Sequence, residues 1–139
     1  MNTEIIEQLQ GKTLLKVEQV GEDQIQFITS DMRMYSMHAE DGAPNDVEVR
    51  IESIVGDLKD LVGVPLIKAE YVSNVDEEGL SPGFTWTFIK FATVKGYVDI
   101  RYIGQSNGYY AEAPIIADFG QVSEEYLIPK EENSKPKFK

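Results

Sequence analysis

Trp86, Phe88, Lys90 and Arg101 are the residues of this chain best placed by type and spacing to do chemistry. Two flat apolar rings beside two cations suit a molecule with a flat ring and an acidic group, through stacking and charge-assisted hydrogen bonds. If Lys95-Gly96 forms a two-residue hairpin turn, Lys90 stands opposite Arg101, Phe88 opposite Ile103 and Phe91 opposite Ile100. Like charges directly across two strands are unfavourable by roughly 0.2–1 kcal/mol, so something must offset the pair. A bound anion is one offset; neutralisation by Asp99 and Glu112 on the same face is the other. Ser106, Asn107, Tyr109 and Tyr110 gather hydroxyls and an amide at the next turn, Asn107-Gly108. They suit ligand contacts, and a plain hairpin turn accounts for them equally well.

Other chemistries find less footing. The chain has no cysteine and one histidine, which removes disulfides, thiolate zinc sites, cysteine nucleophiles and any two-imidazole metal site. His38 ends a strand-like run with no Ser or Asp partner assignable from spacing. Asp57 and Asp60 fall on one turn of a short helix, where Asp57 serves as a starting residue without any metal. Ala39 to Asp46 is acidic but lacks the ligand spacing and closing glutamate of a calcium loop. No glycine-rich phosphate loop or nucleophile elbow occurs, so we expect a protein that is not an enzyme and has no cofactor or metal.

The elements that must position these residues form around 84 to 118, FTWTFIKFATVKGYVDIRYIGQSNGYYAEAPIIAD, read as three consecutive antiparallel strands. Alternation assigns Ile89, Phe91, Val98, Ile100, Tyr102, Ala111, Ala113 and Ile115 to a core face. Trp86, Phe88, Lys90, Asp99, Arg101, Ile103, Tyr110 and Glu112 fall on the other. Upstream, Thr3 to Gln10 predicts a short amphipathic helix. Thr13 to Val20, Gln24 to Thr29 and Met32 to His38 predict a three-stranded meander, with Leu15, Val17, Ile25 and Phe27 facing inward. Val47 to Ile51 reads as a strand, Ile54 to Gly63 as a short internal helix, and Leu66 to Ser73 as a strand. Asn74 to Gly83 is a loop, either a lid or a long connection. The expected fold is α+β: a twisted, mainly antiparallel sheet curling toward a barrel, in one domain over 1–128, followed by a charged tail over 129–139.

At 139 residues and 42% hydrophobic content, one core is affordable. No run of about 18 apolar residues occurs and the amino terminus is acidic, so no membrane contact and a cytoplasmic location are expected. A formal net charge of −11 argues against direct nucleic-acid binding. It fits a basic partner better, through carboxylates such as Glu40, Asp41, Asp76, Glu77 and Glu78. An exposed face bearing Trp86, Phe88, Ile103 and Tyr110 further predicts a homo-oligomer, with a ligand site at the subunit boundary.

Three stretches, IESIVGDLKDLVGVPLIKAEYVS at 51 to 73, FTWTFIKFATVKGYVDIRYIG at 84 to 104 and QSNGYYAEA at 105 to 113, resemble a family of small uncharacterised domains found in phage and bacterial genomes. The shared pieces are Gly56-Asp57-Leu58, Trp86-Thr87-Phe88, Lys95-Gly96-Tyr97 and Ser106-Asn107-Gly108-Tyr109-Tyr110, within a span of roughly residues 11 to 118. The resemblance implies a virus or prophage source, and hence a host-cell cytoplasm, but carries no activity. Joined to the aromatic and cationic face, it suggests a counter-defence protein that sequesters a small anionic, nucleotide-like host immune signal. The alternative is an acidic inhibitor or nucleic-acid mimic that covers a basic host defence protein.

Overall fold

A computed structural model describes residues 2–39, 48–75, 84–105 and 114–128. In chain order these form α1 (Asn2–Gln8), β1 (Leu14–Val20), β2 (Gln24–Thr29), β3 (Arg33–His38), β4 (Glu48–Val55), β5 (Lys68–Val75), β6 (Phe84–Thr93), β7 (Gly96–Gln105) and β8 (Ile115–Gln121). Single 3-10 turns lie at Leu58–Leu61 and Glu124–Leu127. The strands make two four-stranded sheets, β1-β2-β3-β8 and β4-β7-β6-β5, with antiparallel pairing between all neighbours. This corrects the α+β, barrel-like expectation: the protein is mostly β, and among the described residues neither sheet closes. The predicted internal helix shrinks to the 3-10 turn, because Asp57 caps it by accepting from the Lys59 amide and Val62 has already returned to an extended backbone.

The meander β1-β2-β3 forms as expected, but the third strand of the 84 to 118 run does not stay beside β7. The free side of β7 is taken by β4, with Ile54 opposite Ile100 and Ile51 opposite Tyr102. β8 instead crosses to β3, where Ile116 stands opposite Met37 and is buried. Ile115 therefore pairs with His38 rather than with Ile100. The connection predicted through Asn107-Gly108 lies outside the described residues.

The core is the space between the sheets. Ile25, Phe27, Tyr35 and Met37 enter from the first sheet, and Ala69, Ile89, Phe91, Val98, Ile100 and Tyr102 from the second. Phe27 and Phe91 meet edge to face at 5.5 Å across it, a favoured aromatic geometry. Ile6 and Leu9 of the amino-terminal segment close one side near β5. Two corrections concern β1 and β2. Leu15 is the extra residue of a bulge, so Leu14 turns inward and Leu15 outward. β2 is buried on both faces from Ile25 to Thr29, because it runs in the middle of its sheet and its outer face is also covered.

The β6–β7 hairpin keeps the expected faces but not the expected register. Its turn is Val94-Lys95, so Thr93 faces Gly96, Phe91 faces Val98 and Ile89 faces Ile100. A slide of two residues preserves which side chains point inward, since the side-chain period is two. The turn is fixed from outside the hairpin. The Thr93 hydroxyl donates to the Asp60 carbonyl at 2.5 Å and accepts from the Lys95 amide, while Lys95 Nζ donates to the Val62 carbonyl at 2.7 Å. Gly96 opens β7 against the Asp60 side chain, whose carboxylate a Cβ there would approach to 3.0 Å. Gly56, with φ +104, lets β4 pass Tyr97 so closely that a Cβ would fall 2.3 Å from its carbonyl oxygen.

Candidate functional site

The outward face of the second sheet is a platform of cross-strand rows. One row reads Val72, Phe88, Arg101, Ser53; the next holds Trp86, Ile103 and Arg50; on the other side stand Glu70, Lys90, Asp99 and Val55. Trp86, Phe88, Lys90, Arg101 and Ile103 are half-buried. The inward neighbours on the same strands, Ile89, Phe91, Val98, Ile100 and Tyr102, are at most 1% exposed.

The register removes the like-charge pair. Lys90 faces Asp99 on one side and Glu70 on the other, and Arg101 faces Phe88. The argument that unopposed cations require an anion is thereby overturned, and the predicted neutralisation of Arg101 by Asp99 is replaced by another. Arg101 Nε and Nη2 donate to Glu52 Oε1 at 2.8 and 2.6 Å, and the guanidinium carbon lies 5.1 Å from the Trp86 ring centre. A cation over an indole face is attracted by the ring quadrupole. The Arg101 hydrogen bond and a second from Ser53 hold the Glu52 carboxyl below the usual glutamate range.

Glu52 reaches this position through a bulge. β4 spends one extra residue between Ile51, opposite Tyr102, and Ser53, opposite Arg101. Sequence reading missed Glu52 because a bulge is set by pairing between distant strands. Of the predicted site residues, Trp86, Phe88, Lys90 and Arg101 share one face, with Arg101 in contact with Trp86. Ser106, Asn107, Tyr109, Tyr110 and Glu112 lie outside the described residues, as do Glu40, Asp41, Asp76, Glu77 and Glu78 and the tail at 129–139; of the loop or lid read over Asn74 to Gly83, Asn74 and Val75 instead belong to β5, and 76–83 lie outside the described residues.

His38 proves to have a serine beside it. Its Nδ1 is 3.0 Å from the Ser36 hydroxyl, which accepts from Gln24 Nε2 at 2.9 Å. Ser36 is 0% exposed, so no substrate reaches its oxygen, and Asp23 is engaged by the Ala39 amide. The i, i+2 spacing of Ser36 and His38 on a strand was the signal available in the sequence. An open depression of about 360 Å³ lies here, lined by Asp23, Gln24, His38, Ala39 and Phe119. Another, of about 580 Å³, runs between β1 and the Leu58–Leu61 turn, where the Asp57 carboxylate is already used as a cap.

Fold and platform together define a two-sheet antiparallel β protein whose second sheet carries half-buried Trp86, Phe88, Lys90 and Arg101 on its outer face. The chain belongs to the family described as Domain of unknown function (DUF7448), which matches residues 7–116 and so includes Gly56, the Glu52 bulge, Trp86 and Arg101. No curated protein and no solved structure matches it. Among the described residues, no helix is long and apolar enough to cross a membrane.

Proposed function

We propose that this is a non-catalytic binding protein whose outer second-sheet face takes up a flat, anionic, nucleotide-like molecule. The ring lies against Trp86 and Phe88, and the acidic group reaches Arg101 with Lys90 beside it. The observation that carries this reading is the guanidinium held 5.1 Å over the chain's one tryptophan on the outer face of the second sheet. Aromatic side chains on a sheet surface, with a cation among them, are a general means of holding a flat ring and its charge. A single sheet face covers only one side of a ring. A second copy of the chain set against it would close the other, which is why we place the site at the boundary of a two-fold dimer. In its biological form, the reading makes the ligand a host immune signal, sequestered in the cytoplasm by a phage-type protein. That step rests on the resemblance to phage and bacterial domains.

The test uses Trp86 as its own reporter. Titration with a panel of nucleoside monophosphates and cyclic nucleotides is expected to change Trp86 emission saturably, and Arg101→Ala is expected to weaken binding about tenfold or more, as for loss of a charge-assisted hydrogen bond. No change in emission or in thermal midpoint across the panel overturns the reading. The second reading, an acidic surface covering a basic host protein, is favoured by the net charge of −11. It predicts binding that falls steeply with salt and tolerates loss of Trp86 or Arg101.

A further inference from the structure

Arg101 is occupied by a carboxylate from its own chain, and the way it is occupied bears on what the platform accepts. We propose that Glu52 is a built-in competitor: its carboxylate rests on Arg101 where the acidic group of a ligand binds, and a phosphate- or carboxylate-bearing ring must displace it. This rests on the reading of the platform as a site for flat anions and adds a control to that site.

Three observations carry it. The first is the bulge. With Ile51 and Ile54 both turned toward the core, opposite Tyr102 and Ile100, the extra residue leaves Glu52 and Ser53 outward together. Bulges of this kind re-aim a side chain, and here the re-aimed group is an acid beside the cation that lies over the indole. The second is the bonding pattern. Both guanidinium nitrogens share a single oxygen, Glu52 Oε1, rather than meeting two oxygens in the parallel fork that makes arginine pairs strongest. A ligand phosphate offering two oxygens gains the fork that Glu52 does not use. The third is exposure. The Arg101 and Glu52 side chains are 42% and 33% exposed, so water and salt screen the pair and exchanging it is cheap. Glu52 keeps Arg101 oriented and neutralised when the face is empty, and charges every anion that binds for its own displacement.

The test compares the full-length wild type with Glu52→Gln and, as a second neutral variant, Glu52→Ala. The probes are adenosine monophosphate, guanosine monophosphate, adenosine and inorganic phosphate, followed by Trp86 emission and by calorimetry. Glu52 is exposed on the outer face, so both variants are expected to keep the wild-type circular dichroism. Removing the competing charge is expected to tighten binding of at least one monophosphate by roughly fivefold or more, and to leave adenosine within about twofold because it brings no acid to Arg101. If the wild type binds a monophosphate and neither neutral variant binds it more tightly, Glu52 is a positioning group and the competitor proposal fails while the platform reading stands. If the neutral variants tighten adenosine as much as the monophosphates, the proposal fails too, since the gain then has nothing to do with Arg101. If none of the three proteins responds to any probe, the platform reading itself falls and takes this inference with it.

Discussion

The two sheets turn very different outer faces to the surroundings. On the first sheet that face buries polar groups beside Ile28: Lys16, Gln26 and Ser36 are 9%, 5% and 0% exposed. The chain closes it with itself. Val122 donates to the Met32 carbonyl, and the segment beyond brings the Tyr126 and Ile128 carbonyls to Lys16 Nζ at 2.8 and 3.0 Å, with Glu18 at 3.1 Å. On the second sheet the outer face carries Trp86, Phe88 and Arg101 half-exposed, and its polar contacts include the Arg101–Glu52 ion pair, whose side chains are 42% and 33% exposed. Buried polar groups with full sets of partners are a structural commitment, costly to undo. Half-buried aromatic rings beside a screened ion pair commit less to the fold, and it is there that binding has the most to gain.

That contrast can be broken most forcefully at one strand. Phe91→Ala removes the ring that meets Phe27 between the sheets and should cost about 3–5 kcal/mol, while Phe88→Ala, three residues earlier on the opposite face, should cost under about 1 kcal/mol. Urea unfolding of both measures the difference; comparable losses would mean the outer face is packed rather than bare. Next in size is Lys16→Met, which strands the Tyr126 and Ile128 carbonyls and removes the Lys16–Glu18 ion pair. We expect a loss of about 2–3 kcal/mol and faster proteolytic cleavage within 122–128. An unchanged cleavage rate would show that Lys16 does not hold the segment down.

Tyr102 sharpens the comparison from the inside, because it leaves the second sheet and binds the first. Its hydroxyl donates to the Asp23 carbonyl at 2.7 Å, with the Met37 carbonyl at 3.3 Å. Tyr102→Phe leaves the Asp23 oxygen without this donor, at an expected cost of about 1–2 kcal/mol. Burial, followed by the nearby Asp23 charge, pushes its hydroxyl well above the ordinary tyrosine range. The sign follows. In the unfolded chain the group loses its proton near pH 10, but the folded state holds it, so stability is full below about pH 10 and falls as pH rises from there toward the folded value. A denaturation midpoint that drops above pH 10 in the wild type, and less so in Tyr102→Phe, is the expected result.

Which side chains point inward was legible in the sequence for the central hairpin. Ile89, Phe91, Val98, Ile100 and Tyr102 alternate with Trp86, Phe88, Lys90, Asp99 and Arg101, and alternation is a local property that survives an error of two in register. The meander of β1 to β3, the presence of the amino-terminal helix and the shared face of Trp86, Phe88 and Arg101 were local in the same sense. What lies opposite what was not. The turn at Val94-Lys95 is chosen by Asp60 and Val62 from another segment, and through it Lys90 meets Asp99 instead of Arg101. β8 leaves β7 because β4 holds that edge, and Glu52 arrives at Arg101 because β4 bulges as it pairs there. Side-chain alternation is written into consecutive residues. Register, strand order and bulges are written only where segments far apart in the chain compete for the same hydrogen bonds, and so the tertiary structure alone decided them.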